Sequence, residues 1–170
     1  MRRAADAAAP AAKRAAADAP VRAWVFRTNG DVSVLRGKTA STSKLIKQFE
    51  PILAATTKEK GPCYVEFVTL PRKAGGAWML ILDESGRYTQ PQNVGFASFM
   101  LDMNHAGKYN GAIAVAHVSV EGDGTPDLDC VHPLEAPPVV ADDDDDDDDA
   151  LDKFFGALRR DWRAYIKNLR

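Results

Sequence analysis

Gly76-Ala77-Trp78-Met79-Leu80-Ile81-Leu82-Asp83-Glu84-Ser85-Gly86 decides how the chain is read. It is an apolar run of strand length closed by a polar turn that contains glycine. A strand without a polar face is covered on both sides. We read it as the central strand of one small sheet.

Elements of matching character lie on either side. Upstream, Arg22-Ala23-Trp24-Val25-Phe26-Arg27 and Val32-Ser33-Val34-Leu35 flank Thr28-Asn29-Gly30-Asp31. Asn-Gly between two such runs is the preferred centre of a two-residue hairpin. Leu45, Ile46, Phe49, Ile52 and Leu53 then recur at helical spacing behind a Ser41 or Thr42 cap, with Pro51 expected to kink or restart the helix. Cys63 to Leu70 is a third strand, β-branched and aromatic. Downstream, Val94 to Met103 carries Phe96, Phe99, Met100 and Met103 on one helical face, and Ala112 to Val120 is the last strand. The order β-β-α-β-β-α-β over residues 21–121 predicts an α+β fold, a mostly antiparallel sheet with two helices packed on one face.

The ends differ from this body. Residues 1–20 are Ala-rich, interrupted by Pro10 and Pro20, and hold no large apolar side chain, so they read as a disordered arm. Residues 122–150 read as a linker, rich in proline and then in aspartate from Asp142 to Asp149, where eight adjacent carboxylates repel one another. Residues 151–170 read as an amphipathic helix. Leu151, Phe154, Phe155, Leu158, Trp162, Tyr165, Ile166 and Leu169 form its stripe, opposite Lys153, Arg159, Arg160, Arg163, Lys167 and Arg170.

Composition narrows the function classes. A net charge of −2 gives no overall basic balance towards nucleic acid. No apolar run approaches the ~20 residues needed to cross a bilayer, and the N-terminus lacks the apolar core of a secretory signal. A cytoplasmic, host-cytoplasmic or nuclear protein is expected, neither secreted nor transmembrane. Cys63 and Cys130 lack metal or redox spacing and read as reduced thiols.

Motifs that carry chemistry are sparse. His105, His117 and His132 sit in no nucleophile elbow, so no catalytic residue is assigned. Asp102, His105 and His132 lack metal-ligand spacing, and the aspartate run lacks the Gly and terminal Glu of an EF-hand loop. Gly75-Gly76 is followed by neither Lys-Ser/Thr nor a helix, so it is no phosphate loop. No metal or cofactor is expected. Asp83 and Glu84 at a strand end read first as a turn; with Asn93 and His105 they are the candidate rim of a cleft.

The turn Asp83-Glu84-Ser85-Gly86-Arg87, then Pro91-Gln92-Asn93 with Ala97, and the apolar strand after Gly111 carry a likeness. With the preceding hairpin, helix and Tyr64-Val65-Glu66 strand, residues 24–120 resemble the family catalogued as domain of unknown function 3846, found in phages, plasmids, large DNA viruses and algae. The resemblance implies a fold type and no reaction, because the family has no established activity. Asn93 would cap the second helix and Gly86 permit the tight turn.

The expected function is that of a non-enzymatic accessory or regulatory domain of viral or algal type. Its C-terminal helix would dock on its own sheet or bind a protein partner through Leu151, Phe154, Phe155, Leu158, Trp162 and Ile166. Two other classes compete. One is a small-substrate enzyme with a cleft near Asp83, Glu84, Asn93 and His105. The other is a nucleic-acid binder using Arg159, Arg160 and Arg163, with a membrane surface as a further target for the same helix.

Overall fold

In the computed structural model, residues 18–57, 64–100, 109–138 and 146–168 are described. Six strands build one antiparallel sheet: β1 (Val21–Phe26), β2 (Val32–Arg36), β3 (Val65–Pro71), β4 (Ala77–Asp83), β5 (Ile113–Val120) and β6 (Pro126–Val131). Their order is β2-β1-β5-β4-β3, with β6 paired to β5 beyond the end of β1. The described helices are α1 (Thr42–Ala54), α2 (Gly86–Thr89), α3 (Val94–Phe99), α4 (Asp146–Phe154) and α5 (Gly156–Asn168). The fold is α+β with an antiparallel sheet and a C-terminal helix, as expected.

The strand alternation sorts the core into two layers. Trp24 and Phe26 of β1, Trp78 and Leu80 of β4, and Ile113 and Val115 of β5 point to one face. Ala23 and Val25, Met79 and Ile81, Ala114 and Ala116 point to the other. Leu45, Phe49 and Leu53 of α1 cover the second face, while Phe96 of α3 with Leu158 and Trp162 of α5 cover the first. The two central helices therefore divide between the faces, in place of the single shared face that the element order predicts. The interior strands are apolar on both faces, so both need cover: a bare face on β4 would expose Met79 and Ile81, or Trp78 and Leu80. Alanines of β1 and β5 lie on α1's side, and Trp24 and Trp78 on the side of α3 and α5. The centre of the sheet is β5, hydrogen-bonded on both sides to β1 and β4, so the run from Ala77 to Asp83 is interior rather than central.

Residues 122–150 depart from the linker reading. Pro126 opens β6, the one position of a strand where a missing N–H costs little, and Val131 is buried in the core. Arg22, itself buried, donates from Nη1 to the Val131 carbonyl (2.7 Å) and from Nε to the Gly37 carbonyl (3.0 Å), which pins β6 beside β1. Leu134 bridges to Val21, and Trp24 donates its indole N–H to the Glu135 carbonyl (2.9 Å). Helix α4 begins at Asp146, inside the aspartate run, and Asp149 pairs with Lys153 at 2.6 Å. Residues 1–17 of the N-terminal arm and Asp142 to Asp145 lie outside the described residues.

Three hairpins share one loop design. In β1–β2, Arg27 N–H donates to Asp31 O and Gly30 N–H to Arg27 O, with Gly30 at φ 95°. Arg72, Gly75 and Gly76 repeat this in β3–β4, and Glu121, Gly124 and Thr125 in β5–β6, with Gly75 at 94° and Gly124 at 87°. Each loop has three residues, the last a glycine in the left-handed region. The Asn29-Gly30 signal thus marks a hairpin, one residue longer than the two-residue form. Asn29 supports it by accepting from Asp31 N–H (3.2 Å).

Candidate functional site

The polar residues after β4 separate into a buried anchor and an open cleft. Asp83 is 4% exposed at the end of β4. Its carboxylate accepts from the backbone N–H and hydroxyl of Ser85 (both 3.0 Å) and from Gln90 Nε2 (3.2 Å). These bonds fold the chain from β4 into α2, and Gln90 continues the network to the Leu53 carbonyl (3.2 Å) behind α1. A buried carboxylate with three donors is committed to holding structure.

Glu84, one residue on, is exposed. With Glu66, Leu82, Asp83, Arg87 and Asn110 it lines a cleft of about 220 Å³. A shallow, open surface adjoins at Glu84, lined by Tyr64, Ser85 and Tyr88. Tyr64 is 61% and Tyr88 81% exposed. The register explains the grouping: Glu66 faces Leu82 across the β3–β4 pair, and the Glu84 N–H donates to the Tyr64 carbonyl (2.7 Å), carrying the ladder one residue beyond β4.

Asn110 also lines the cleft. It is 9% exposed, and Nδ2 donates to the Gln90 carbonyl (3.2 Å), which settles the orientation of the amide. Oδ1 is buried without a partner. A buried acceptor left unpaired costs about 1–3 kcal/mol. Among the described residues, the side chains of Glu66, Glu84 and Arg87 also make no ion pair or hydrogen bond.

Asn93 does not join the cleft. It is fully buried; Oδ1 caps α3 by accepting from Phe96 N–H (2.9 Å), and Nδ2 donates to the carbonyls of Phe26 (3.0 Å) and Gly111 (2.9 Å). This is the capping role expected of it, with every polar atom satisfied. His105 and Asp102 lie outside the described residues. Of the four cleft residues named from the sequence, the structure brings Asp83 and Glu84 together. Glu66, Arg87, Asn110 and the two tyrosines were missed: each is an ordinary residue of a strand, loop or the short α2 until β3, β4, α2 and the chain before β5 converge.

A second polar cluster lies across β5 and its neighbours. His117 stacks on His132 with ring centroids 4.3 Å apart. Arg72 donates from Nη1 to His117 Nε2, and its guanidinium lies 4.3 Å from the Trp78 ring centroid. On the far side, the Ser119 hydroxyl is 2.7 Å from His132 Nε2 and 3.2 Å from the free thiol of Cys130. Burial first, then the Arg72 guanidinium and His132, hold His117 down at about 4, against a weaker pull from a backbone hydrogen bond to Gly75. His117 is thus neutral at neutral pH. With Nε2 occupied by Arg72, its proton sits on Nδ1.

The C-terminal stripe is spent on the chain's own sheet. Phe155, Leu158 and Trp162 are buried, and Leu151, Phe154 and Ile166 pack on the same core. Phe155 meets Trp24, Phe26 and Phe99 at centroid distances of 4.9, 5.3 and 4.6 Å. Trp78 donates its indole N–H to Asp161 (2.9 Å), tying the helix to β4. In this arrangement the six residues named for a partner's groove form core, because the sheet face they cover is as apolar as they are. Arg159 is also engaged: it donates from Nε to the Phe99 carbonyl and pairs with Asp152 at 2.7 Å, which lowers the Asp152 carboxyl below its usual range. Arg160 and Arg163 are both exposed on the outer side of the helix.

Among the described residues no group of three or more His, Cys, Asp or Glu is placed to hold a metal, and no helix is long and apolar enough to cross a membrane. Compared with protein-family models, curated proteins and solved structures, the chain matches none.

Proposed function

We propose that this is a non-catalytic accessory or regulatory domain that works by binding a small ligand in the cleft between Glu66, Glu84, Arg87 and Asn110. The observation that carries the reading is the cleft itself, in which the side chains of Glu66, Glu84 and Arg87 stand together without bonds among the described residues. The open surface at Tyr64 and Tyr88 adjoins it at Glu84. The enzymatic alternative at the same place is disfavoured by the Asp83 carboxylate being enclosed in structural hydrogen bonds. The likeness to the domain of unknown function 3846 family, and with it a viral or algal setting, belongs to this proposal and adds no reaction to it.

The test is a chemically diverse fragment library screened against the ¹⁵N-labelled full chain by NMR. Shifts confined to the amides of Glu66, Glu84, Arg87 and Asn110 support the reading. A library that moves no cleft amide overturns it.

A further inference from the structure

The edges of the sheet are not equally protected. An open strand edge is a template for another chain, and proteins guard it with short strands, charges, bulges or cover. β2 has five residues, and its Asp31 to Val34 stretch shares a cavity with Pro137, Pro138 and Leu151. β6 carries Asp127 and Asp129, and its pairing with β5 shifts register beside Ser119. β3 is the longer edge, seven residues from Val65 to Pro71, with Glu66 as its one charge. The Tyr64 carbonyl accepts from Glu84 N–H, and Arg72 N–H donates to the Gly76 carbonyl, both in register with the β3–β4 ladder. Bonded and non-bonded pairs alternate in such a ladder. Glu66, Val68 and Leu70 therefore bond to β4, while Val65, Phe67 and Thr69 turn their N–H and C=O outward. Among the described residues these outward groups have no partner. Pro71, next in the outward series, has no N–H to leave unpaired. Phe67 is 37% exposed on this edge.

We propose that β3 is a self-association edge: two copies of this chain pair antiparallel through β3 about a two-fold axis at Phe67, joining their sheets into one. The strand is self-complementary in that register. Val65 meets Thr69 of the second copy, each donating and accepting, and Phe67 meets its own copy in the same way. Phe67 lies opposite Ile81, on the α1 face, so the two rings cover one another there. On the other face Glu66 meets Val68 of the second copy, and no charge stands directly opposite its own sign. Moving the axis to Glu66 would set the two carboxylates opposite each other, which is destabilising. A contact of this isologous kind closes at two copies. The proposal does not depend on what the cleft binds, although Glu66 lines both the cleft and this edge.

The test is sedimentation of the full chain from about 10 µM to about 1 mM, a range suited to the weak association of a small interface. Expected is a mass that rises from monomer towards dimer. Thr69→Pro removes an outward donor and leaves the bonds to β4 in place. Phe67→Lys sets two ammonium groups together at the axis. Each should weaken association about tenfold or more while cooperative urea unfolding is kept. In a mixture of ¹³C-labelled and unlabelled chains, the Hα protons of Glu66 and Val68 should give an intermolecular NOE, because they face each other as a non-bonded pair. A chain that stays monomeric to about 1 mM overturns the proposal and leaves the edge to a different partner. A dimer that keeps its affinity in a folded variant, or whose intermolecular NOEs lie away from β3, also overturns it. Should Thr69→Pro fail to fold, Phe67→Lys decides alone.

Discussion

Single residues in this protein carry roles that their sequence neighbourhood only half announces. Asp83 reads as a turn residue, and in the fold it is the acceptor that joins β4, α2 and, through Gln90, α1. Asp83→Ala is expected to lower stability by about 2–4 kcal/mol, the cost of leaving buried donors unpaired, as measured by urea unfolding. A catalytic acid would show the opposite pattern, with stability kept and an activity lost. Gly76 sits at φ 70°, and a Cβ there would lie 2.6 Å from the Val118 carbonyl oxygen and 2.7 Å from His117 Nε2. Backbone is on one side of it and a ring pinned by Arg72 on the other. Gly76→Ala should therefore cost more than the ~1–2 kcal/mol of a left-handed residue alone, with a corresponding fall in Tm.

His117 ties stability to pH. Its folded value, about 4, lies below the ordinary 6.5, so the unfolded chain binds the extra proton. The contribution is fully present above pH 6.5 and is lost as pH falls from there towards 4. One proton sets a ceiling of about 1.4 kcal/mol per pH unit, reduced by solvent screening because the ring is only partly buried. His117→Gln should flatten the pH dependence of urea midpoints between about pH 6.5 and 5. An unchanged slope in that variant would assign the effect to other groups.

Among the elements, the three matched hairpin loops show what local sequence can specify. Thr28-Asn29-Gly30, Lys73-Ala74-Gly75 and Gly122-Asp123-Gly124 each end in a glycine at positive φ. The first is legible because apolar alternation resumes at once. The third reads as a break, because Pro126 follows and β6, with Asp127 and Asp129, lacks a strong apolar pattern. Its strand character comes from β5, which offers an unpaired edge beyond β1. At Gly124 nothing lies within 4 Å of the place a Cβ would occupy, so Gly124→Ala is a conformational test alone: a loss of about 1–2 kcal/mol in urea unfolding. The C-terminal helix is legible as a stripe, while its destination is not. Phe155→Ala is expected to cost about 3–5 kcal/mol and to raise binding of an apolar dye, since the ring fills the space between Trp24, Phe26 and Phe99.

Across the molecule as a whole, β5 holds the sheet together and should unfold last. Native-state hydrogen exchange is expected to find the slowest amides in β5 and β4 and faster ones in the edge strands β2 and β3. Equal protection across the sheet would contradict that hierarchy. The order of strands and helices up to β5 apart from the one-turn α2, two of the three hairpin loops and the stripe of the last helix could be read from the residues alone, since these follow from periodicity, glycine conformation and apolar spacing within a few positions. Which face each helix covers, the joining of β6 to the sheet, and the meeting of Glu66, Glu84, Arg87 and Asn110 in one cleft emerged with the packing. Those outcomes depend on which surfaces remain uncovered once the strands have paired, and that is a property of residues far apart in the chain.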